Sequence, residues 1–362
     1  MDSVTYRWFR DGDESGLLAL LQAAFGRWPG VDVPCEPIEH LRWKLRMGGS
    51  TTTLHTVAEA DGRIVAGQLL SVQPYASRGQ PLSILRGWDS AVHPDYRGRG
   101  IMREMREFAR ASVPEDCLMH FGAFTRNPAM LRVHAREGRI AFNVKMETVI
   151  APLTVRAAME TLRLYPTRAP GKLARSSVSF LRWAARAPGL GAGPGQYTVR
   201  EVACFDERID GFLPEATSPF DYALLRTREF LNWRYADARA GLFHIKLAEL
   251  GGRIAGYTVL RETGGRAYLA DLMALPEHLE AVRALARAAM AHFRRAGASR
   301  VECLIAANHP YRKPLASAGF VGRRRRKTPL TFQPLHATPE QIASLSDADL
   351  RIHLMVGDSD IV

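Results

Sequence analysis

The 362-residue sequence predicts a mixed α/β protein built from two tandem copies of one domain, each a mixed central sheet flanked by helices. Three observations carry that prediction. Landmarks of the first half return in the same order in the second. Within a copy, segments of strand character alternate with segments of helical periodicity. One strand runs directly into a glycine-rich turn that opens a helix. The length agrees, because a chain of this size exceeds one ordinary core and suits two.

The repeat is read from ordered landmarks. Leu41-Arg42-Trp43-Lys44 reappears as Leu231-Asn232-Trp233-Arg234, and Gly62-Arg63-Ile64 as Gly252-Arg253-Ile254 at the same separation of 190. Asp89 and Pro94 correspond to Asp271 and Pro276 at 182, and Asn127 and Gly138 to Asn308 and Gly319 at 181. Small deletions account for the drift, and the near-constant offset argues against coincidence among common residues.

Within the first copy, Thr5 to Arg10 alternates as a strand, and Asp13 is placed to cap a helix running from Gly16 to Phe25. A hairpin turns at Asp61-Gly62. Leu82 to Val92 forms the next strand, followed by the glycine-rich turn and a helix from Ile101 to Ala111. Leu118 to Phe124 is a further strand. Asn127 is placed to cap the helix after it, with Pro128 at the first position and Gly138 at the end. The domains assigned on this basis are 1–160 for the first copy, 161–196 for a linker, 197–335 for the second copy and 336–362 for a C-terminal tail. Proline, glycine, serine and arginine mark the linker from Tyr165 to Gln196. Inside it, Leu173 to Arg186 reads as a helix laying its apolar side on one domain, with a helix lying on a membrane surface as the alternative.

Composition narrows the function classes. A hydrophobic fraction of 46% with 24% charged residues is that of a folded globular chain. Met1 to Arg10 is too charged for a signal peptide, and no stretch is long and apolar enough to span a bilayer. Cys35, Cys117, Cys204 and Cys303 stand far apart with no Cys-x-x-Cys pair, so neither a disulfide framework nor a metal site is expected. A cytoplasmic protein fits these features. The formal charge of +12 favours anionic partners. A phosphorylated cofactor is one. Nucleic acid is disfavoured, because the arginines are scattered and no nucleic-acid module is legible. The run Arg323 to Lys327 reads as a solvated strand, with docking of an acidic carrier protein as the minority alternative.

The informative segment is Trp88 to Met102. A strand ends in it and a helix begins, and successive amides at a helix start form a cradle for a pyrophosphate. Gly98 and Gly100 let the main chain approach phosphates, while Arg97 and Arg99 place charge beside them.

Arg97-Gly98-Arg99-Gly100-Ile101, preceded by Val-x-Pro-x-Tyr, resembles the acyl-CoA loop of the GNAT superfamily of N-acetyltransferases. Met102 departs from the small residue usual there, a departure shared by the enhanced-intracellular-survival type, whose third domain this chain lacks. The resemblance covers both halves. It implies that acetyl-CoA is held by Arg97, Gly98, Arg99, Gly100, Ile101 and Met102, that Ser90, Ala91 and Val92 bind the pantetheine arm by main-chain hydrogen bonds, and that Asn127 faces the same arm. It also implies that the Ser90 to Val92 strand splays from the next to open the slot. A capping role explains Asn127 equally well.

The reaction implied is transfer of an acetyl group to a primary amine. It needs a neutral amine and a proton for the departing thiolate. Where the family often places a tyrosine, this sequence has His134, two helical turns from Asn127 on the same face. A polar surface residue is the plain alternative. Asp89 is the nearest carboxylate on the strand before the loop and a candidate base, or else a residue that holds the strand end. Arg351 to Val356 reads as a strand leading to Val362, whose terminal carboxylate corresponds to the one that survival-type enzymes bring to the active site; a surface tail is the alternative.

The second copy has Leu275 to Glu280 in place of the phosphate loop, without glycine or arginine, and Leu315 in place of His134. One cofactor per chain is therefore expected. The alternatives to acetyl transfer are transfer of a longer acyl chain from acyl-CoA or acyl carrier protein, and a non-catalytic CoA-binding sensor.

Overall fold

The computed structural model describes residues 3–48, 51–122, 136, 138–163, 195–322, 330–347 and 349–359. Asn127, His134, the Leu173 to Arg186 segment, the Arg323 to Lys327 run and Val362 lie outside them. In chain order, the first elements are β1 (Thr5–Trp8), α1 (Glu14–Phe25), α2 (Pro37–Leu45), β2 (Thr52–Thr53), β3 (Thr56–Ala60), β4 (Arg63–Ser77), β5 (Gln80–Val92), α3 (Ile101–Arg110), β6 (Cys117–Gly122) and β7 (Ile140–Ala141). Then follow β8 (Met146–Pro152), α4 (Val155–Arg163), β9 (Thr198–Val202), α5 (Arg208–Thr217), β10 (Tyr222–Leu224), α6 (Arg228–Tyr235), β11 (Phe243–Leu250), β12 (Arg253–Thr263) and β13 (Arg266–Ala274). The chain continues through α7 (Leu279–Arg295), β14 (Arg300–Ala306), α8 (Arg312–Ala318), β15 (Val321–Gly322), β16 (Thr331–Pro334), α9 (Pro339–Leu345) and β17 (Ile352–His353).

These elements form two compact units. One comprises Met1–Asn143, Leu224–Leu242 and Pro329–Ala348; the other comprises Val144–Ala223, Phe243–Thr328 and Asp349–Val362. Each is built on a mixed sheet. In the first the order is β1-β3-β4-β5-β6-β16-β7, and in the second β15-β8-β14-β13-β12-β11-β9. Strand β8 follows the first copy in sequence yet lies in the second sheet, antiparallel to β14, while β16 of the second copy lies in the first sheet beside β6.

In the first unit the helices take opposite faces of the sheet. Leu17 and Leu20 of α1 and Leu41 of α2 pack with Leu69 and Trp88, whereas Ala109 of α3 packs with Leu70 and Leu85. Consecutive strand residues point to opposite faces, so the apolar pair Leu69-Leu70 serves both layers. In the second unit Leu285, Ala289 and Phe293 of α7 cover Leu269, Leu272 and Ala274 of β13.

The repeated tryptophans meet inside the first unit. Trp43 of α2 and Trp233 of α6 stack at 4.7 Å between centroids with planes 14° apart. Each indole N–H donates to the other's backbone carbonyl, Trp43 Nε1 to Trp233 O at 2.9 Å and Trp233 Nε1 to Trp43 O at 3.3 Å. Buried indoles need such acceptors, and the pairing satisfies both at once.

Two local expectations are corrected. Asp13 stands at the N-cap of α1 but makes no capping hydrogen bond with its side chain. Its carboxylate accepts instead from the Arg7 guanidinium, at 2.6 and 2.9 Å, and from the Arg10 amide at 2.9 Å. The bidentate charge-assisted pair outcompetes a neutral amide. The strand expected from Arg351 to Val356 is only Ile352–His353, because the chain then tightens into a 3-10 turn closed by the Met355 amide donating to Asp358 Oδ2 at 2.8 Å.

Three buried histidines are locked in the neutral form. His55 Nδ1 accepts from the Leu70 amide at 3.1 Å, leaving Nε2 to donate to Leu45 O, and His309 Nδ1 accepts from the Tyr311 amide at 3.2 Å. Burial lowers all three, His40 to about 4, against an ordinary value near 6.5. With folded values below the unfolded ones, the unfolded chain binds more protons in acid, so stability is complete above pH ~6.5 and is lost as pH falls towards ~4. The urea midpoint should drop across that interval; a midpoint unchanged between those two pH values would contradict the assignment.

Candidate active site

The site begins where a hydrogen-bond ladder stops. Strands β5 and β6 pair in parallel from Ser83↔Cys117 to Arg86↔Phe121, and among the described residues no pairing continues beyond. Residues Gly87 to Val92 therefore keep one strand edge turned away from β6, while their other edge stays paired with β4 through Leu70, Leu69, Gly67 and Ala66. A strand edge without a ladder partner is a template for another extended chain. Ser90, Ala91 and Val92 lie on this edge.

Opposite that edge the ladder is irregular. Gly67 pairs with Ala91 and Leu69 with Trp88, so Asp89 and Ser90 bulge opposite Gln68 alone. Asp89 takes a left-handed φ of 24°, costly for a residue with a side chain. Lys44 of α2 secures it, donating from Nζ to Asp89 Oδ2 at 2.5 Å with the two side chains only 9% and 14% exposed. Trp88 beside it donates to Ser71 Oγ at 3.1 Å, and the Arg86 guanidinium lies 4.7 Å from the Trp88 ring.

After Val92 the chain enters a short 3-10 turn, Pro94–Tyr96, and then the glycine loop. Gly98 and Gly100 have φ of 78° and 80°, a left-handed conformation that favours glycine. A Cβ at Gly98 would meet nothing within 4 Å, so angle and open space, not crowding, select glycine there. The amides of Gly98, Arg99, Gly100, Ile101 and Met102 donate to no acceptor among the described residues. They stand at the positive end of α3 and fit an anionic diphosphate. Ile101, 3% exposed, anchors the helix start in the core.

The two loop arginines are partly spent on the protein. Arg97 donates to Val92 O at 3.3 Å and Ala24 O at 3.0 Å, tying the loop to the strand end and to α1. Arg99 donates to Asp95 O at 2.9 Å and lies 4.6 Å from the Tyr96 ring. Both shape the loop as well as charging it.

Several site residues were not singled out from sequence: Lys44, Arg86, Trp88 and His120. Period-two spacing in Ile84-Leu85-Arg86-Gly87-Trp88 puts Arg86 and Trp88 on one face, and an arginine inside an apolar strand is the signal that would have found them. Nothing local marks Lys44 or His120.

The second unit shows the same architecture with its slot filled. Strand β13 pairs with β14 only at Ala267↔Val301 and Tyr268↔Glu302, and Asp271 sits beside a bulge against β12, as Asp89 does in the first. There Tyr311 takes both backbone groups of Ala274, with N–H and C=O at 2.9 and 3.0 Å from its hydroxyl. Asp271 accepts from Tyr257 Oη at 3.0 Å. His309 and His353 meet at 3.1 Å, with the Phe220 ring tilted against them at 4.9 and 4.7 Å between centroids. Asn308 donates to the carbonyls of Asp349 and Leu350, so the C-terminal segment is held in place.

One group of potential metal ligands occurs among the described residues. Glu201, His244 and His292 bring ligand atoms within 4.8 Å of one another. Lys246 Nζ, 2.7 Å from Glu201 Oε2, holds that carboxylate well below its ordinary range, to about 2.

This two-sheet chain is similar to solved structures over more than nine-tenths of its length. A probable N-acyltransferase from Enterococcus faecalis is similar over 92% of this chain and 73% of its own, with a TM-score of 0.62 at 14% identity. A tandem GNAT protein from the clavulanic acid biosynthesis pathway is similar over 93% of this chain and 100% of its own, with a TM-score of 0.58 at 18% identity. The chain has the GNAT fold, twice over. The N-myristoyltransferase of Saccharomyces cerevisiae, with bound myristoyl-CoA, also matches this tandem GNAT arrangement, over 97% of this chain and 86% of its own, at a TM-score of 0.56 and 13% identity. No protein-family model matches the sequence, and no curated protein does.

In this GNAT unit the Lys44–Asp89 pair is an ion pair with both side chains largely buried. Lys44→Met leaves a largely buried carboxylate without its countercharge and should cost about 3 kcal/mol in urea unfolding. Adding Asp89→Asn should recover most of the loss; a double variant no more stable than Lys44→Met would show that the pair is not the cause.

Proposed function

We propose that the chain is an acyl-CoA-dependent N-acyltransferase that transfers a short acyl group, acetyl in the simplest case, to a primary amine, using the first unit alone. The observation that carries this reading is the run of amides from Gly98 to Met102, continuous with the open edge of β5. The loop fits the diphosphate of CoA, and the edge fits its extended amide-bearing arm. Bound acyl-CoA supplies a thioester activated towards amines.

The remaining work falls to the chain. The loop and edge fix the donor's position, which is the chief contribution when two reactants are brought together. Lys44 holds Asp89, and through it the bulge, so we assign Asp89 to positioning. We assign proton donation to the leaving thiolate to His134, and we carry Val362 as a second carboxylate for the amine. Support for one donor per chain comes from the second unit, where Tyr311, His309 and His353 fill the equivalent slot.

Calorimetry with CoA on the whole chain should show a single site. Gly100→Glu should abolish the heat, since the residue has a left-handed φ and the new carboxylate would face the diphosphate; binding that survives this change would place CoA elsewhere. His134→Ala should lower kcat about 100-fold with little change in CoA affinity. An unaltered kcat would remove it from the mechanism.

A further inference from the structure

The second unit gathers three metal-binding side chains from elements far apart in the sequence. Glu201 of β9 and Lys246 of β11 are directly opposite in antiparallel register, so their side chains share one face of the sheet. His244 stands two residues along β11, on that same face. It is the face covered by α7: Val199 and Ala248, in register with this set, pack with Leu285, Ala289 and Phe293 of the helix. His292 comes from the last turn of α7 and completes the group. Ligand atoms of Glu201, His244 and His292 lie within 4.8 Å of one another.

The bonding around them suits a ligand set. His244 Nδ1 meets Glu201 Oε1 at 2.8 Å, while Lys246 Nζ donates to the other oxygen, Oε2, at 2.7 Å. With Oε1 as the ligating atom, Lys246 becomes the outer partner that fixes the carboxylate. The His244 and His292 rings lie 4.3 Å apart between centroids, tilted by 56°, and the His292 ring hydrogen-bonds to no protein group among the described residues. Two imidazoles and a carboxylate suit zinc, whereas calcium and magnesium take oxygen ligands. Ligand atoms about 2.1 Å from a zinc ion stand about 3.4 Å from one another, so side-chain shifts of about 1 Å close the set.

We propose that Glu201, His244 and His292 bind a divalent transition-metal ion, zinc being the best fit, with water in the fourth position. The His244 and Glu201 side chains are 44% and 47% exposed, so water reaches the ion. Strand β9 ends its sheet and is held by β11 alone, and the ion ties this edge strand both to β11 and to the end of α7. The carbonyl end of a helix favours a cation, while Lys246, Arg294 and Arg295 oppose one, which sets the affinity in the micromolar range and not below it. Cysteine spacing carries no trace of this site, because its ligands are two histidines and a carboxylate from three separate elements. The site belongs to the second unit and is independent of the acyl transfer proposed for the first.

Calorimetry on the whole chain, stripped with EDTA and dialysed, should show zinc binding in the micromolar range that excess magnesium does not displace. His292→Ala should weaken it at least about 100-fold, the upper end of what losing an outer partner of a ligand costs, and so should His292→Gln, which keeps much of the side-chain volume. His244→Ala should do the same. Zinc should raise the thermal unfolding midpoint of the unaltered chain in proportion to the logarithm of its concentration, and should not raise that of the double histidine variant. Absence of zinc binding by the unaltered chain would overturn the proposal without recourse to any variant. Micromolar binding that survives the loss of both histidines would overturn it as well, as would displacement by magnesium at equal concentration.

Discussion

The first unit depends on a ladder that stops. Up to Arg86 and Phe121 the central strands satisfy each other's backbone groups; past that pair, among the described residues, the edge of Gly87 to Val92 that faces away from β4 has no ladder partner. Everything distinctive about the site serves this break. The bulge at Asp89 turns the strand away, Lys44 neutralises the aspartate that sits on it, and Arg97 ties the end of the strand to α1. The glycine loop then adds five amides at the start of a helix. Strand edge and helix end together form one continuous polar surface of main chain, suited to an extended ligand with an anionic head.

The second unit has the same break with other groups placed along it. Its strands part after Tyr268 and Glu302, and the chain supplies its own partners: a tyrosine hydroxyl on Ala274, a histidine pair, and a C-terminal segment held by Asn308. Asp271 keeps the position of Asp89 but is entirely buried and bonded to a tyrosine. Duplication followed by filling of one slot accounts for a fold retained in both halves and a loop retained in one.

The two units are not successive segments of chain. A strand from the end of the first copy completes the second sheet, and a strand from the end of the second copy returns to the first. The tryptophans that made the repeat legible turn out to be partners of each other, stacked with reciprocal hydrogen bonds inside one unit. Duplicated residues that pair in this way bring part of the second copy into the unit built on the first.

From sequence alone came the two-copy organisation, the order of strands and helices, and the glycine loop, because these are written in local signals: periodicity, glycines with special angles, and proline at element starts. Gly98 and Gly100 are legible for that reason; their conformation is a property of one residue. What only the tertiary structure decided rests on residues far apart in the chain. Lys44 meets Asp89 across 45 positions, His120 faces Gly87 only because two strands run parallel, and Asp13 abandons its cap for Arg7 because a charged fork lies within reach. Strand exchange belongs to the same class, since β8 pairs with β14 and β16 with β6, partners far away in the sequence. Local conformational preference is written residue by residue, whereas desolvation and pairing are set by neighbours that the linear order does not name.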